Sequence, residues 1–418
     1  MTMTTTTSPA APGWLSRIGN KLAARPAPVQ AAATSHIDAA AITPPSPVLA
    51  ILGAALRTPH GASADELGAR LAANKVDADL DPQLVDDQGL PVMTARSAQA
   101  IDEAVREEIA DWLADSATPD LAFSDEQWRA LVLGTAVMRD LAQQAAALAL
   151  REEDGPAMLR LALLLPDGWQ DAQRQAASNW WLQVLAQSGW PAARLGIDEP
   201  NAASPAALVA RLAHDGVAST QAVATILLAC ASHIGQDTVD RWSADSTLFT
   251  PGHPRGRIPG EGAAGLLLAG VGLAHSLDTA GCAQLLVQVD DGDPASDSAR
   301  RLSPRRLNTL AERLLQNASI APADIAMIVA DTGTDTRQVL ELMAFGAASA
   351  PHLDNASDIV RLGPACGACD AVPFVAALVL GAHAALEMNA PLLCVSNAMP
   401  GCRALALVRP GLPSRDAA

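Results

Sequence analysis

The stretch RLGPACGACDAVPFVAALVLGAHAALEMNAPLLCVSNAMPGCRALALVR, residues 361–409, constrains this chain more than any other. It opens on a Gly/Cys-rich turn and runs into an Ala/Leu helix expected from about Ala371 to Glu387. A short strand, Leu392–Val395, follows, then a Gly-containing loop at Ala398–Gly401 and a closing strand, Ala404–Val408. Loop, helix, strand, loop and strand, with both loops at one end, build the wall of a pocket.

The rest of the chain has to supply the other walls. At 418 residues it is too long for one small core, so at least two subdomains are expected. Half the residues are hydrophobic, yet there are four Phe, eight Trp and no Tyr, so the interior is built from Ala, Leu and Val. Small side chains let helices and sheets approach closely, which suits layered α/β packing. The formal charge of −17 argues against a nucleic-acid partner, because phosphate binding needs clustered Lys and Arg. Cys230, Cys282, Cys366, Cys369, Cys394 and Cys402 do not form the dense pattern of a disulfide framework. The opening MTMTTTTSPAAP lacks the basic and apolar regions of a secretory signal. The longest apolar candidates, Ala263–Leu273 and Val372–Ala385, fall short of the ~18–20 residues that span a bilayer and read as core elements. A soluble, cytoplasmic protein without a transmembrane segment is expected.

Taken in order, residues 1–46 read as a disordered Thr/Ala/Pro-rich tail. Within it GWLSRIGNKLAAR (13–25) sets Trp14, Leu15, Ile18 and Leu22 at helical spacing with Arg17, Lys21 and Arg25 between them. This is a short basic amphipathic helix, suited to a partner, an anionic surface or the parent domain. Strands are expected at 48–56, 128–136, 158–166, 221–233, 263–271, 282–291 and 325–331. Helices are expected at 64–75, 99–113, 138–150, 171–189, 205–216, 303–318 and 337–349, with residues 76–95 as loop. Adjacent Trp180 and Trp181 point one to the core and one to an interface. The helix from Pro205 is expected to stop at Gly216. Strands alternating with helices, and lacking polar alternation, predict mostly parallel sheets covered on both faces. The grammar repeats, giving two similar halves over 47–275 and 276–410, with 411–418 as a second tail.

Several constellations have a structural explanation as well as a chemical one. Cys366-Gly-Ala-Cys369 has redox or zinc spacing, but no second ligand pair accompanies it, so packing of the turn explains it better. Gly260-Glu261-Gly262 lacks the Lys-Ser/Thr of a phosphate loop and reads as a Gly turn entering a strand. TGTDT (332–336) offers Asp331 and Asp335 to a cation or, more simply, to its own backbone. No cofactor and no metal site is expected.

Four stretches together resemble the β-ketoacyl-acyl-carrier-protein synthase branch of the thiolase superfamily, across about residues 48–410. LAILGAALRTPHG (49–61) is similar to that family's first strand and Thr-Pro-x-Gly turn. RIPGEGAAGLLL (257–268) is similar to its Gly-Glu-Gly-Ala-Ala strand. IAMIVADTGTDTRQVLE (325–341) and RLGPACGACDAVPFVAAL (361–378) are similar to the segments that carry its two catalytic histidines. The resemblance implies αβαβα layers, homodimerisation through a strand beside the nucleophile helix (here Gln221–Leu228), and a Cys nucleophile with two His donors. None of the three residues is found at the matching positions. Asn201, or a neighbour, stands for the cysteine, Asp331 or Thr332 for the first histidine, and Pro364 for the second. Ile359 or Arg361 lies nearest the family's supporting Lys, Met399-Pro400 interrupt the Gly-rich loop, and Arg403 stands near its Asn. An amide forms no thioester, a carboxylate repels an oxyanion, and proline offers no donor.

The resemblance therefore implies a ketosynthase-like protein without the Cys-His-His set. It would be a non-catalytic accessory, adaptor or scaffold, as a homodimer or heterodimer, with an acyl carrier protein or a secretion component as partner. The alternative is an acyl-transferring enzyme of 3-oxoacyl-acyl-carrier-protein synthase type with rearranged residues. Cys366, helped by Asp331 or His383, is its candidate nucleophile.

Overall fold

The computed structural model describes residues 47–116, 121–149, 157–198, 204–218, 222–277, 281–292 and 302–411. The expected tail 1–46, the expected tail 411–418 beyond Gly411, and Asn201 lie outside these; Gly411 N donates to Cys282 O (2.8 Å). Two of the strands form a small hairpin and the other ten one mixed sheet. The strands are β1 (Leu49–Arg57), β2 (Asp79–Val85), β3 (Pro91–Thr94), β4 (Met158–Leu164), β5 (Leu195–Asp198) and β6 (Val223–Ser232). They continue as β7 (Glu261–Gly270), β8 (Ala283–Asp291), β9 (Ile328–Ala330), β10 (Ile359–Arg361), β11 (Leu392–Ser396) and β12 (Cys402–Pro410). The large sheet has the order β10-β9-β11-β12-β8-β1-β7-β6-β4-β5. Read from each end inward, the two halves are the same. β10, β9 and β11 are parallel neighbours, as are β5, β4 and β6; then β12 and β8 on one side, and β7 and β1 on the other, pair antiparallel. Parallel pairing is thus confined to the two wings. The halves meet at β1 and β8, antiparallel over Leu49–Ile51 and Ala283–Leu285 only.

The sheet is covered on both faces because alternate residues of each strand serve different layers. In β6, Leu227, Ala229 and Ala231 join the central core, while Ile226, Leu228 and Cys230 face an outer layer of helices Glu103–Ala114, Asp125–Ala149 and Asp171–Gln187. In β12, Ala404, Ala406 and Val408 face the centre; Leu405 and Leu407 face the helices Arg305–Ala318 and Thr336–Ser349. Between the half-sheets lies the helix Val372–Met388, whose neighbours include strands of both halves. Pro373 presets its first turn, and Asn389, left-handed at φ 47°, ends it. The result is the expected αβαβα stack.

The structure corrects several local expectations. Residues 128–136 are not a strand. They belong to one helix, Asp125–Ala149, begun by a reciprocal cap: Gln127 N donates to Ser124 Oγ (3.2 Å), and Ser124 N to Gln127 Oε1 (2.9 Å). Ala130 to Leu133 are all buried because the helix is wedged between the sheet and other helices, and this removes the polar face that marks a helix. Residues 76–95 hold the β2–β3 hairpin rather than a plain loop. Trp180 and Trp181 are both in the core, at 1% and 0% exposure, since their indoles donate to one buried hydroxyl, Thr135 Oγ1, at 2.9 and 3.3 Å. The helix from Pro205 runs on past Gly216 to Ala218. The strand expected at the dimer interface, Gln221–Leu228, lies mostly in β6, which is interior and paired on both sides; the edge on that wing is β5.

Leu380 is fully buried in the central helix, whereas Leu340 is 52% exposed. Leu380→Ala is expected to cost about 2–5 kcal/mol of stability, and Leu340→Ala within about 0.5 kcal/mol. Urea midpoints at unchanged slope measure both.

Candidate functional site

In an open α/β sheet, the loops at the carboxyl ends of parallel strands are where ligands are met. β9, β10 and β11 run in one sense, so the segments that follow them emerge together. These are Asp331–Gly333, Leu362–Pro364 and Asn397–Gly401. Leu362 N donates to Ala330 O (2.8 Å), which seats the second loop against the first. Gly363 allows the contact: a Cβ there would lie 2.4 Å from Gly333 Cα and 2.5 Å from Thr332 O. Pro364 follows, inside the short helix Gly363–Cys366. The chain turns again at Gly367, φ 67°, where a Cβ would sit 2.7 Å from Gly260 Cα.

The structure thus brings Asp331, Thr332 and Pro364 into one place, and their polar groups are committed. Asp331 Oδ2 accepts from Ser396 Oγ (2.6 Å), and Oδ1 accepts from the backbone N–H groups of Asn397 (2.9 Å) and Ala398 (3.1 Å). Burial pushes the carboxyl above its ordinary 3.8, against those hydrogen bonds and the charge of Arg403. Thr332 Oγ1 donates to Asn397 Oδ1 (2.5 Å). Asn397 Nδ2 donates to Gln338 O (3.0 Å) and Glu341 Oε2 (3.1 Å). Glu341 accepts from Arg403 Nε at 2.9 and 3.0 Å, and Arg403 Nη1 donates to Cys402 O (2.7 Å). Glu341 and Arg403 are 2% and 1% exposed, so the pair is fully desolvated. Removing one partner of such a pair costs about 3–5 kcal/mol. Asp331, Thr332, Asn397, Glu341 and Arg403 form a continuous polar network that fastens the third loop to β9 and to the helix Thr336–Ser349.

Around this network the other sequence candidates fall out separately. Ser204, the first residue described after 199–203, caps its helix by accepting from Ala207 N (3.1 Å) and donates to Asp291 (3.4 Å). The Cys402 thiol lies beside Ser204 and Asp291 and is pushed up to about 12, chiefly by burial. The helix that follows Asn201 in sequence therefore does approach the third loop. Cys366 is fully buried, and its carbonyl accepts from Cys369 Sγ at 3.4 Å. Burial, then the neighbouring Cys366, holds the Cys369 thiol well above its ordinary value. Neither proposed helper reaches Cys366: Asp331 is committed as above, and His383 lies toward the far end of the central helix, 3.0 Å from Asp65 and 3.6 Å from Glu387. Asp335 caps its own helix and pairs with Arg337 (2.8 Å), so it does not share a cation with Asp331.

Two clusters were missed from sequence. Glu261, fully buried, accepts from Ser97 N (2.7 Å), Ser232 Oγ (2.9 Å) and both Nε (2.8 Å) and Nη2 (2.5 Å) of Arg129. Burial alone would lower the Arg129 guanidinium, but Glu261 outweighs it and the group is held up. His233 Nε2 lies 2.9 Å from Asp370 Oδ2, joining the loop after β6 to the turn before the central helix. A lone acid inside an apolar β run was the signal for Glu261.

The Asp331 shift has a sign that can be tested. A carboxyl whose pKa is higher folded than unfolded holds its proton more tightly in the native state. Its contribution to stability is full below the unfolded value, taken as 3.8, and is lost as pH rises through the folded value. Asp331→Asn removes that titration. The stability of the variant minus that of the wild type is expected to increase as pH rises above 3.8, read from urea midpoints. A difference that does not change with pH would contradict the shift.

No family model matches the sequence, and no curated protein matches it. Solved structures do. The ketosynthase from module 6 of the bacillaene synthase of Bacillus subtilis 168 aligns with a TM-score of 0.60 at 13% identity, over 88% of this chain and 72% of that one. The oxazolomycin ketosynthase domain of Streptomyces albus JA3453 gives 0.58 at 16%, over 88% and 75%. The ishigamide ketosynthase/chain length factor gives 0.52 at 16%, over 87% and 99%. At such identities the likeness is one of fold: with the stack described above, this chain has the fold of those ketosynthase domains.

Proposed function

We propose that this protein is a non-catalytic, ketosynthase-like accessory or scaffold subunit. The observation that carries the reading is the state of Asp331: both of its oxygens are filled by Ser396, Asn397 and Ala398, in a loop cluster whose other wall is Pro364. Decarboxylative condensation needs a thiolate nucleophile and donors aimed at an oxyanion. A buried carboxyl saturated by donors, a proline without an N–H and a fully buried Cys366 supply neither. The side chains at this end of the sheet hold loops together instead. Such a protein acts through its surface, as a homodimer or as a heterodimer with an active subunit. The name of the ishigamide ketosynthase/chain length factor, which couples a ketosynthase with a differently named component, is consistent with that role. The open edge at β5 suits a pairing between subunits. An acyl carrier protein or a secretion component is the partner the reading anticipates, in the cytoplasm. Among the described residues no helix is long and apolar enough to cross a membrane.

Incubation with acyl- and malonyl-loaded carrier protein tests this. Intact-mass spectrometry is expected to find no acyl adduct and no malonyl decarboxylation above buffer, while the protein binds a carrier protein or an active ketosynthase stoichiometrically. A covalent acyl-enzyme would replace this reading with that of an acyl-transferring enzyme using rearranged residues.

A further inference from the structure

β1 and β8 pair only over their first residues and then part, and a groove of about 540 Å³ opens where they diverge. Its walls are β1 from Ile51 to Leu56, the central helix at Val379, Ala382 and Leu386, and Cys282 at the start of β8. At Ala54 the backbone of its floor is already satisfied. Gln144, from the helix Asp125–Ala149, donates to Ala54 O (3.3 Å) and accepts from Ala54 N (3.0 Å), as a neighbouring strand would. The groove therefore offers apolar side-chain contacts and little free strand edge, and Leu386 is left 43% exposed within it. Its rim is acidic. Asp140 lines it, already paired with Arg57, and Asp65 and Glu387 flank the lining residue His383. No Lys or Arg is among the described residues that line it.

We infer that residues 13–25 of the same chain dock in this groove as an amphipathic helix. The segment carries what the groove lacks: Trp14, Leu15, Ile18 and Leu22 for the apolar walls, and Arg17, Lys21 and Arg25 for the acidic rim. Thirteen helical residues span about 20 Å, and β1 from Ile51 to Leu56 spans about 17 Å. The tether is suitably placed, because the chain before residue 47 joins the described structure at the end of β1 from which the groove begins. The connecting residues 26–46 reach up to about 70 Å when extended, so length does not prevent docking. A tether of that length corresponds to an effective concentration of about 1 mM. At that effective concentration, a groove open about a tenth of the time corresponds to an intrinsic dissociation constant of about 0.1 mM.

The test uses the full chain. Cys282, half-buried at the groove, reports access by its alkylation rate, and hydrogen exchange reports peptides covering 51–56 and 379–386. W14A/L15A/I18A/L22A changes no residue of the described core. It is expected to speed Cys282 alkylation about tenfold and to raise exchange in both peptides. Leu386→Glu in the groove should do the same from the other side. Unchanged alkylation and exchange in the tail variant would overturn the inference. So would protection that fades as the wild type is diluted, since the segment would then come from a second copy.

Discussion

Everything in this molecule rests on one helix being buried between two half-sheets. Val372 to Ala385 is buried at every position except His383. The two half-sheets close on it because their inner residues are small: Ala229, Ala231 and Ala264 on one side, Ala404 and Ala406 on the other, with Gly381 lying where a Cβ would meet Cys394 Sγ at 2.7 Å. Close-packed interiors tolerate little change in volume. Substituting larger side chains here would separate the two halves of the sheet.

That closure has a consequence at the carboxyl ends of β9, β10 and β11. Three loops meet there, and the polar side chains of Asp331, Thr332 and Asn397 are buried among them, so each needs a partner. Asp331 finds Ser396, Asn397 and Ala398; Asn397 bridges Thr332 to Glu341; Glu341 holds Arg403. A reactive site on this fold would instead leave donors aimed at a substrate. The proposed loss of catalysis and the tightness of the packing are two sides of the same arrangement, since the groups that fill one another are not free for a ligand.

The layers were legible in the sequence because the strands 48–56, 158–166, 263–271 and 282–291 are apolar runs bounded by turns; the close backbone approaches at Gly260, Gly363 and Gly367 were not. Periodicity failed where burial removed it: Ala130–Leu133 looked like a strand because that part of its helix has no solvent face. The β2–β3 hairpin was hidden by a run rich in Asp that includes Pro82. Asp331 and Pro364 could be singled out because their motifs are local. The Glu341–Arg403 pair could not, because its members lie 62 residues apart and meet only through the fold. Asn201 lies outside the described residues, so its standing in for the family's cysteine is an expectation from the resemblance.

The claim on which the rest depends is that the loop cluster around Asp331 is closed and internally satisfied. Native-state hydrogen exchange of the Asn397 and Ala398 amides tests it most directly, because both donate to Asp331. The account predicts that they exchange only through global unfolding, with the same denaturant dependence as the core amides of β6 and β12. Fast exchange independent of denaturant, beside a protected β12, would show an open pocket and contradict it.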